Sequence, residues 1–123
     1  METEISELKG KTINEIIGLE RGNDTIDIRT TDGQTYRMFH QQDCCENVSL
    51  EDVVGDIDDL LNSPIITAEE RTSNENPTGI TKDYQDSFTW TFYELATIKG
   101  SVTLRWYGES NGYYSESVSF IKL

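Results

Sequence analysis

Short segments in which apolar and polar residues alternate account for most of the first third of the chain. Their two-residue period is typical of β-strands with one buried face. The segments are residues 12–20, 25–31 and 34–40. Between the last two lie Asp32 and Gly33, which both tolerate positive φ and favour a two-residue type I′ turn. That turn would pair Ile28 with Arg37, and we predict three antiparallel strands here.

A longer period follows in residues 49–62. Apolar side chains recur there at intervals of three and four residues, as on one face of an α-helix. They are Leu50, Val53, Val54, Ile57, Leu60 and Leu61. Ser49 suits the N-cap position, and Pro64 lies just beyond the expected end. We therefore predict one amphipathic helix over residues 49–62, with an acidic outer face.

The remainder of the chain again alternates with the period of strands. The predicted strands are residues 64–72, 87–98, 101–110 and 113–123. A two-residue turn at Lys99 and Gly100 would place Glu94 opposite Arg105, which is a favourable cross-strand pair. A second turn signal at residues 111–112 would join the last two strands into a meander.

Together these elements predict an α+β fold with the order β-β-β-α-β-β-β-β. One twisted antiparallel sheet would be covered on one face by the helix at residues 49–62. The 123 residues fit a single domain. Residues 1–11 are interpreted as an N-terminal polar segment. Residues 73–86, which contain Pro77 and Gly79, are interpreted as a mobile loop.

The charge of the chain is strongly negative and unevenly distributed. The net charge is −13, and residues 43–86 contain twelve acidic and two basic residues. Direct binding of nucleic acid is not expected, because phosphate contacts require clustered Lys and Arg. The acidic stretch either steers a basic partner or is simply a well-solvated surface. The candidate partner-binding residues are Glu51, Asp52, Asp56, Asp58, Asp59, Glu69 and Glu70.

Hydropathy gives no indication of a membrane protein. No stretch approaches the roughly 20 apolar residues that a membrane-spanning helix needs. The first residues have neither the basic nor the apolar region of a signal peptide. We expect a cytoplasmic protein without membrane contact.

Aromatic residues of the C-terminal strands form a second candidate site, together with one arginine. Aromatic and arginine side chains anchor protein partners and also stack on flat ligands. The candidates are Trp90, Arg105, Tyr107, Tyr113 and Tyr114. The favoured interpretation is that the aromatic residues belong to the core. A partner or dimer interface and a small-ligand pocket are the alternatives.

The stretch "HQQDCCENV" at residues 40–48 contains the only histidine and both cysteines. Its candidate metal ligands are His40, Asp43, Cys44 and Cys45, whose types suit zinc or a redox metal. The spacing is unlike that of structural zinc sites, and the neighbouring acids oppose an activated thiolate. We expect free cysteines, because a disulfide between neighbours is strained. The preferred interpretation is a structural corner between strand and helix.

Three segments carry a resemblance to a known group of proteins. They are "HQQDCCENV", "GDIDDLLNSPI" and "DSFTWTFYELATIKGSVTLRWYGESNGYYSESV". Across residues 12–121 the chain resembles a family of short phage and prophage proteins of unknown function. The resemblance implies a virus-encoded accessory protein in the cytoplasm of an infected bacterium. It implies no particular activity.

These observations favour a non-enzymatic protein that binds and inhibits a host protein. In one form of this hypothesis, the target is a nucleic-acid-binding protein that recognises the acidic stretch as a nucleic-acid mimic. No cofactor is expected, and a homodimer is left open. One alternative is a sponge for a nucleotide-like molecule, held between Arg105 and the aromatic residues. Another is a metal- or thiol-dependent protein that uses residues 40–46.

Overall fold

The computed structural model describes residues 1–82 and 84–123, and this part of the chain is nearly all β structure. Within these residues, eight strands form two antiparallel sheets, and two short 3₁₀ turns span Ile5–Leu8 and Ile57–Leu60. The strands are β1 (Ile13–Ile17), β2 (Thr25–Thr30), β3 (Thr35–Phe39), β4 (Asn47–Val54), β5 (Thr67–Ser73), β6 (Ser87–Thr97), β7 (Gly100–Ser110) and β8 (Ser119–Lys122). Asp83, part of the predicted loop and of the acidic stretch, lies outside the described residues.

The first sheet has the strand order β1-β2-β3-β8. In its β2–β3 hairpin, Ile28 lies opposite Tyr36, and both side chains are fully buried. Residues 31–33 form the loop, closed by a 3.0 Å hydrogen bond from the Thr30 N–H to the Gln34 carbonyl. The predicted pairing of Ile28 with Arg37 is wrong by one residue, because the loop contains three residues and not two.

The second sheet has the strand order β4-β7-β6-β5. Its central hairpin places Tyr93 opposite Leu104 and Leu95 opposite Val102. These side chains are buried in one cluster with residues of the first sheet, including Ile28. The two sheets therefore share a single core, and the other face of the second sheet points away from it.

The predicted helix over residues 49–62 is wrong, and with it the α+β class. Residues 47–54 form β4, which pairs with β7 and has an irregular register between Leu50 and Asp52. An extra residue at this bulge sets the core-facing Leu50 and Val53 three positions apart, so a strand imitates the helical spacing. Gly55, at φ 115, follows the strand, and a 3₁₀ turn replaces the rest of the predicted helix.

The prediction of a C-terminal meander is also only partly correct. The β6–β7 hairpin exists, but β8 leaves it and pairs with β3, where Phe120 lies opposite Met38. The expected single sheet is therefore divided into two. Within the hairpin, Arg105 lies opposite Phe92, and Glu94 lies opposite Thr103. The predicted Glu94–Arg105 pair is displaced by two residues, which leaves each side chain on its predicted face.

The first residues of the chain lie against β8. The Met1 carbonyl accepts a 2.8 Å hydrogen bond from the Lys122 N–H, and the Thr3 N–H donates to the Phe120 carbonyl at 3.0 Å. The following 3₁₀ turn buries Ile5 and Leu8 in the core. This contact brings the acidic residues of the N-terminal segment close to the second sheet.

Candidate functional site

The connection between β3 and β4 is organised around the carboxylate of Glu46. Glu46 Oε2 lies 2.7 Å from His40 Nε2, and both side chains are buried. The other ring nitrogen of His40, Nδ1, lies 2.6 Å from the Ser117 carbonyl oxygen. The backbone N–H groups of Asp43 and Cys44 each donate to the carboxylate at 2.9 Å. The segment is thus a hydrogen-bonded corner that joins residues 40–46 to residue 117.

The electrostatics of this corner follow from its donors. The hydrogen bond from His40 is the largest cause that lowers the pKa of the Glu46 carboxyl to about 2, against the opposing effect of burial. Both ring nitrogens of His40 are occupied by contacts with oxygen atoms of the protein, Glu46 Oε2 and the Ser117 carbonyl. The arrangement is suited to hold the connection in place.

The two cysteines are joined to each other in a disulfide, which corrects the expectation of free thiols. Cys44 and Cys45 are exposed on the loop. In residues 1–82 and 84–123, no group of three or more His, Cys, Asp or Glu side chains is arranged to hold a metal ion. The candidate ligands Asp43, Cys44 and Cys45 therefore do not converge with His40.

The aromatic residues of the second sheet lie on its outer face. Trp90 and Tyr107 have ring centroids 4.9 Å apart and are buried. Trp90 Nε1 donates to Asn76 Oδ1 at 3.0 Å, and Gln85 Nε2 donates to the Tyr107 hydroxyl at 2.7 Å. Loop residues between β5 and β6 therefore cover this pair, and burial is the largest cause that raises the pKa of Tyr107 to about 12. Side chains of the protein itself thus occupy the polar atoms of Trp90 and Tyr107, two of the residues proposed for a small-ligand pocket.

The other two aromatic candidates lie elsewhere. Tyr113 and Tyr114 follow β7 and contact each other edge to face, with ring centroids 5.0 Å apart. Tyr113 is exposed, and Tyr114 is half-buried. The structure thus brings together Trp90 and Tyr107, with Arg105 two positions away on the same face, but not the tyrosines at 113 and 114.

The acidic candidates on β4 are engaged in ion pairs. Glu51 Oε2 lies 2.6 Å from Arg21 Nη2, and its other oxygen lies 3.5 Å from Lys82 Nζ. Asp52 Oδ2 lies 3.6 Å from Arg105 Nη1. Their negative charge is therefore largely compensated by neighbouring bases.

The acidic candidates at the second 3₁₀ turn have local structural contacts. The Asp56 carboxylate accepts a 3.0 Å hydrogen bond from the Asp58 N–H, which caps the turn. Lys99 Nζ donates to the carbonyls of Asp58 and Leu61. Asp59 accepts from the Thr97 hydroxyl through its carbonyl oxygen. These contacts fasten the turn to the end of the β6–β7 hairpin.

Glu69 and Glu70 differ from the other acidic candidates, because they line a large cavity beside the edge strand β5. The cavity has a volume of about 510 Å³. Its lining comprises Glu2, Thr3, Glu4, Ile5, Ser6, Ala68, Glu69, Glu70, Val118 and Phe120. In the described part of the chain, none of its four glutamates has an ion pair with a basic side chain. We call this region the acidic cavity.

A further carboxylate reinforces the negative charge near the acidic cavity. Glu94 lies directly opposite Glu69 in the β5–β6 pairing. Like charges at opposite positions destabilise a sheet, so this pair has a cost that a bound cation would remove. The sequence pattern did not identify Glu2, Glu4 or Glu94 as site residues, because contacts distant along the chain bring them to β5.

Comparison with known proteins identifies the family to which the chain belongs. A family profile described as a domain of unknown function, DUF7448, matches residues 6–120, and the chain belongs to this family. The resemblance in the sequence thus agrees with an uncharacterised family, whereas a phage origin stays a prediction. No similar protein was found among curated proteins, and no similar fold among solved structures. None of the helical turns in the described residues is long and apolar enough to cross a membrane.

Proposed function

We propose that this protein is a non-enzymatic binding protein whose acidic cavity receives a basic side chain of a partner protein. The observation that carries the proposal is the combination of four glutamates with a cavity of about 510 Å³. The cavity also borders Ile5, Ala68 and Phe120, which are buried core residues. Buried apolar residues beside acidic side chains suit the aliphatic stem and the charged head of Lys or Arg.

The charge of the whole molecule favours the same class of partner. A net charge of −13 attracts basic surfaces from a distance and accelerates their association. A second copy of this chain would bring the same carboxylates together, so the cavity favours a different, basic protein. Binding of this kind weakens as salt screens the charges.

The resemblance to short phage proteins adds a biological role to the proposal. A virus-encoded accessory protein in the cytoplasm of an infected bacterium would use the acidic cavity to block a host protein. A nucleic-acid-binding host protein is the natural target, because its basic surface already recognises phosphates. The phage protein would then compete with nucleic acid for the basic surface of the host protein, and would not itself bind nucleic acid.

The test uses a matched pair of charge variants. The first combines Glu4→Gln, Glu69→Gln and Glu70→Gln in the acidic cavity. The control combines Glu20→Gln, Asp24→Asn and Asp43→Asn, which remove the same charge from exposed sites on other loops. Partners captured from a bacterial host lysate by the unmodified full chain would be identified, and the dissociation constant of each would be measured for all three proteins.

We expect the cavity variant to weaken binding by roughly 3-fold to 150-fold, since three exposed ion pairs contribute roughly 0.2–1 kcal/mol each. The control variant should bind nearly as tightly as the unmodified chain. Raising sodium chloride from about 50 to about 500 mM should weaken the binding of unmodified protein steeply. Binding that neither the cavity substitutions nor salt diminishes would contradict the proposal.

A further inference from the structure

A second cavity lies on the outer face of the second sheet. The strand register places Asp52, Arg105, Phe92 and Arg71 in one row across β4, β7, β6 and β5. A cavity of about 290 Å³ opens over this row. Its lining comprises Val54, Arg71, Ser73, Glu75, Asn76, Pro77, Thr78, Phe92, Thr103 and Arg105. We call it the arginine cavity.

Arg105 has donor capacity that the protein does not use. Its Nε is buried and has no hydrogen-bond partner among the described residues. Its Nη1 lies 3.6 Å from Asp52 Oδ2, which is beyond hydrogen-bond distance. A guanidinium presents five N–H donors in a plane, and buried donors are rarely left unpaired. The guanidinium of Arg105 is therefore suited to bind an oxyanion.

The side of the cavity opposite Arg105 combines a second cation with an aromatic ring. The guanidinium carbon of Arg71 lies 4.8 Å from the centroid of the Phe92 ring. Phe92 is buried and lies directly opposite both arginines in the sheet. Phe92 is one of the residues that line the cavity, so the apolar part of a ligand can pack beside it, between the two guanidinium groups.

The remaining residues of the lining limit the charge and the size of a ligand that the cavity can bind. Glu75 in the lining and Asp52 beside Arg105 contribute two negative charges next to the two positive charges, so the cavity suits a ligand of low charge. The overall charge of −13 repels polyanions such as nucleoside triphosphates. Asn76 is held by its hydrogen bonds with Gln85 and Trp90, which makes this wall rigid. The volume is at the lower end of the range for small-molecule sites.

From these features we propose that the arginine cavity binds a small organic oxyanion, a carboxylate or phosphate monoester that carries a flat apolar group. Arg105 and Arg71 hold the oxyanion, and the flat group packs near Phe92. This site is separate from the acidic cavity and does not depend on the partner proposed for that cavity.

The test is a titration followed by the backbone amide resonances of the labelled full chain. Benzoate and phenyl phosphate are the probes, and benzamide is the uncharged control of the same shape. Inorganic phosphate tests the contribution of the flat group. The variants are Arg105→Gln and Arg71→Gln. Arg29→Gln is the control, because Arg29 lies on the first sheet and pairs with Glu15 at 3.1 Å.

We expect one or both anionic probes to shift the amide resonances of Phe92, Thr103 and Arg105 in a saturable manner. Benzamide should have little effect, and inorganic phosphate should bind more weakly than phenyl phosphate. Loss of a charged hydrogen bond should weaken binding of the anionic probes by about tenfold or more in each cavity variant. Arg29→Gln should bind like the unmodified chain.

Three results would overturn the proposal. They are no saturable shift with either anionic probe, equal shifts with benzamide, or unchanged binding in Arg71→Gln. Inorganic phosphate binding as tightly as phenyl phosphate would refute the role of the flat group. If Arg105→Gln does not fold, the exposed Arg71 still decides the outcome, because its substitution leaves the core untouched.

Discussion

At the scale of single residues, Glu46 illustrates what a sequence pattern can and cannot indicate. The stretch around it was conspicuous because it contains the only histidine and both cysteines. Residue type alone favoured metal or thiol chemistry, whereas the spacing argued against a zinc site and the neighbouring acids argued against an activated thiolate. His40, which contacts the buried Glu46, also contacts the carbonyl of Ser117, 77 positions later in the sequence. No local pattern carries that information.

The lowered pKa of Glu46 predicts a specific sensitivity to acid. Folded Glu46 has a pKa of about 2, against the model-compound value of 4.5, so folding favours the charged form. The resulting stabilisation is complete above the unfolded pKa and is lost as pH falls through the folded value. Thermal unfolding followed by circular dichroism between pH 4.5 and about 2 should therefore show a larger decrease in Tm for the unmodified chain than for Glu46→Gln.

The control for this prediction is Glu20→Gln, at an exposed position outside the corner. Its Tm should depend on pH as that of the unmodified chain does. Parallel curves for Glu46→Gln and the unmodified chain would mean that Glu46 does not contribute to the acid sensitivity.

At the scale of elements, every predicted strand is present at least in part, whereas the one predicted helix is a strand. Bulges and loop lengths explain the differences. In β4, the extra residue at the bulge after Leu50 gives the apolar side chains of a strand the three-residue spacing that is typical of a helix. In the β2–β3 hairpin, one additional loop residue moves Ile28 from Arg37 to Tyr36. A displacement by one residue exchanges the two faces of a strand, whereas the displacement by two in the β6–β7 hairpin preserves them.

Gly55 provides a test of the end of β4. Its φ of 115 disfavours any side chain, and an added Cβ would lie 2.6 Å from the Ser101 carbonyl oxygen. Gly22 has a similar φ of 93, but its Cβ would meet no atom within 4 Å. Gly22→Ala should cost about 1–2 kcal/mol from backbone strain alone. Gly55→Ala should cost roughly 3 kcal/mol or more, because steric overlap adds to that strain.

Chemical denaturation of the two variants measures both costs directly. A helix at residues 49–62 would instead make Gly55→Ala stabilising, since alanine is the better helix former. Equal costs at the two glycines would contradict the close approach of β4 to β7.

At the scale of the whole molecule, the arrangement of the strands was beyond the reach of local patterns. The paired residues of β3 and β8 are 80–86 positions apart in the sequence, and those of β4 and β7 are 49–62 positions apart. Both candidate cavities depend on such contacts: the acidic cavity needs the N-terminal segment beside β5, and the arginine cavity needs four strands in register. The sequence identified Glu69, Glu70 and Arg105 as candidate site residues, but not Glu2, Glu4 or Arg71.

The contact between the first residues and β8 has a consequence for the connectivity of the fold. Met1 N lies 3.0 Å from the Lys122 carbonyl oxygen, so a short flexible linker can join residue 123 to residue 1. New ends could then be placed between Thr78 and Gly79, which are both exposed on the loop before β6. We expect this circular permutant to fold with a Tm close to that of the parent chain, because loop sites tolerate such cuts.

A permutant opened between Leu104 and Arg105, within the central strand β7, is the matched comparison and should fail to fold. Circular dichroism and thermal melting distinguish the two. If the permutant opened at residues 78–79 is unfolded while the linker is intact, the loop connection is itself required for folding. If it folds, the two-sheet architecture is specified by which strands pair, and not by the order in which they follow one another along the chain.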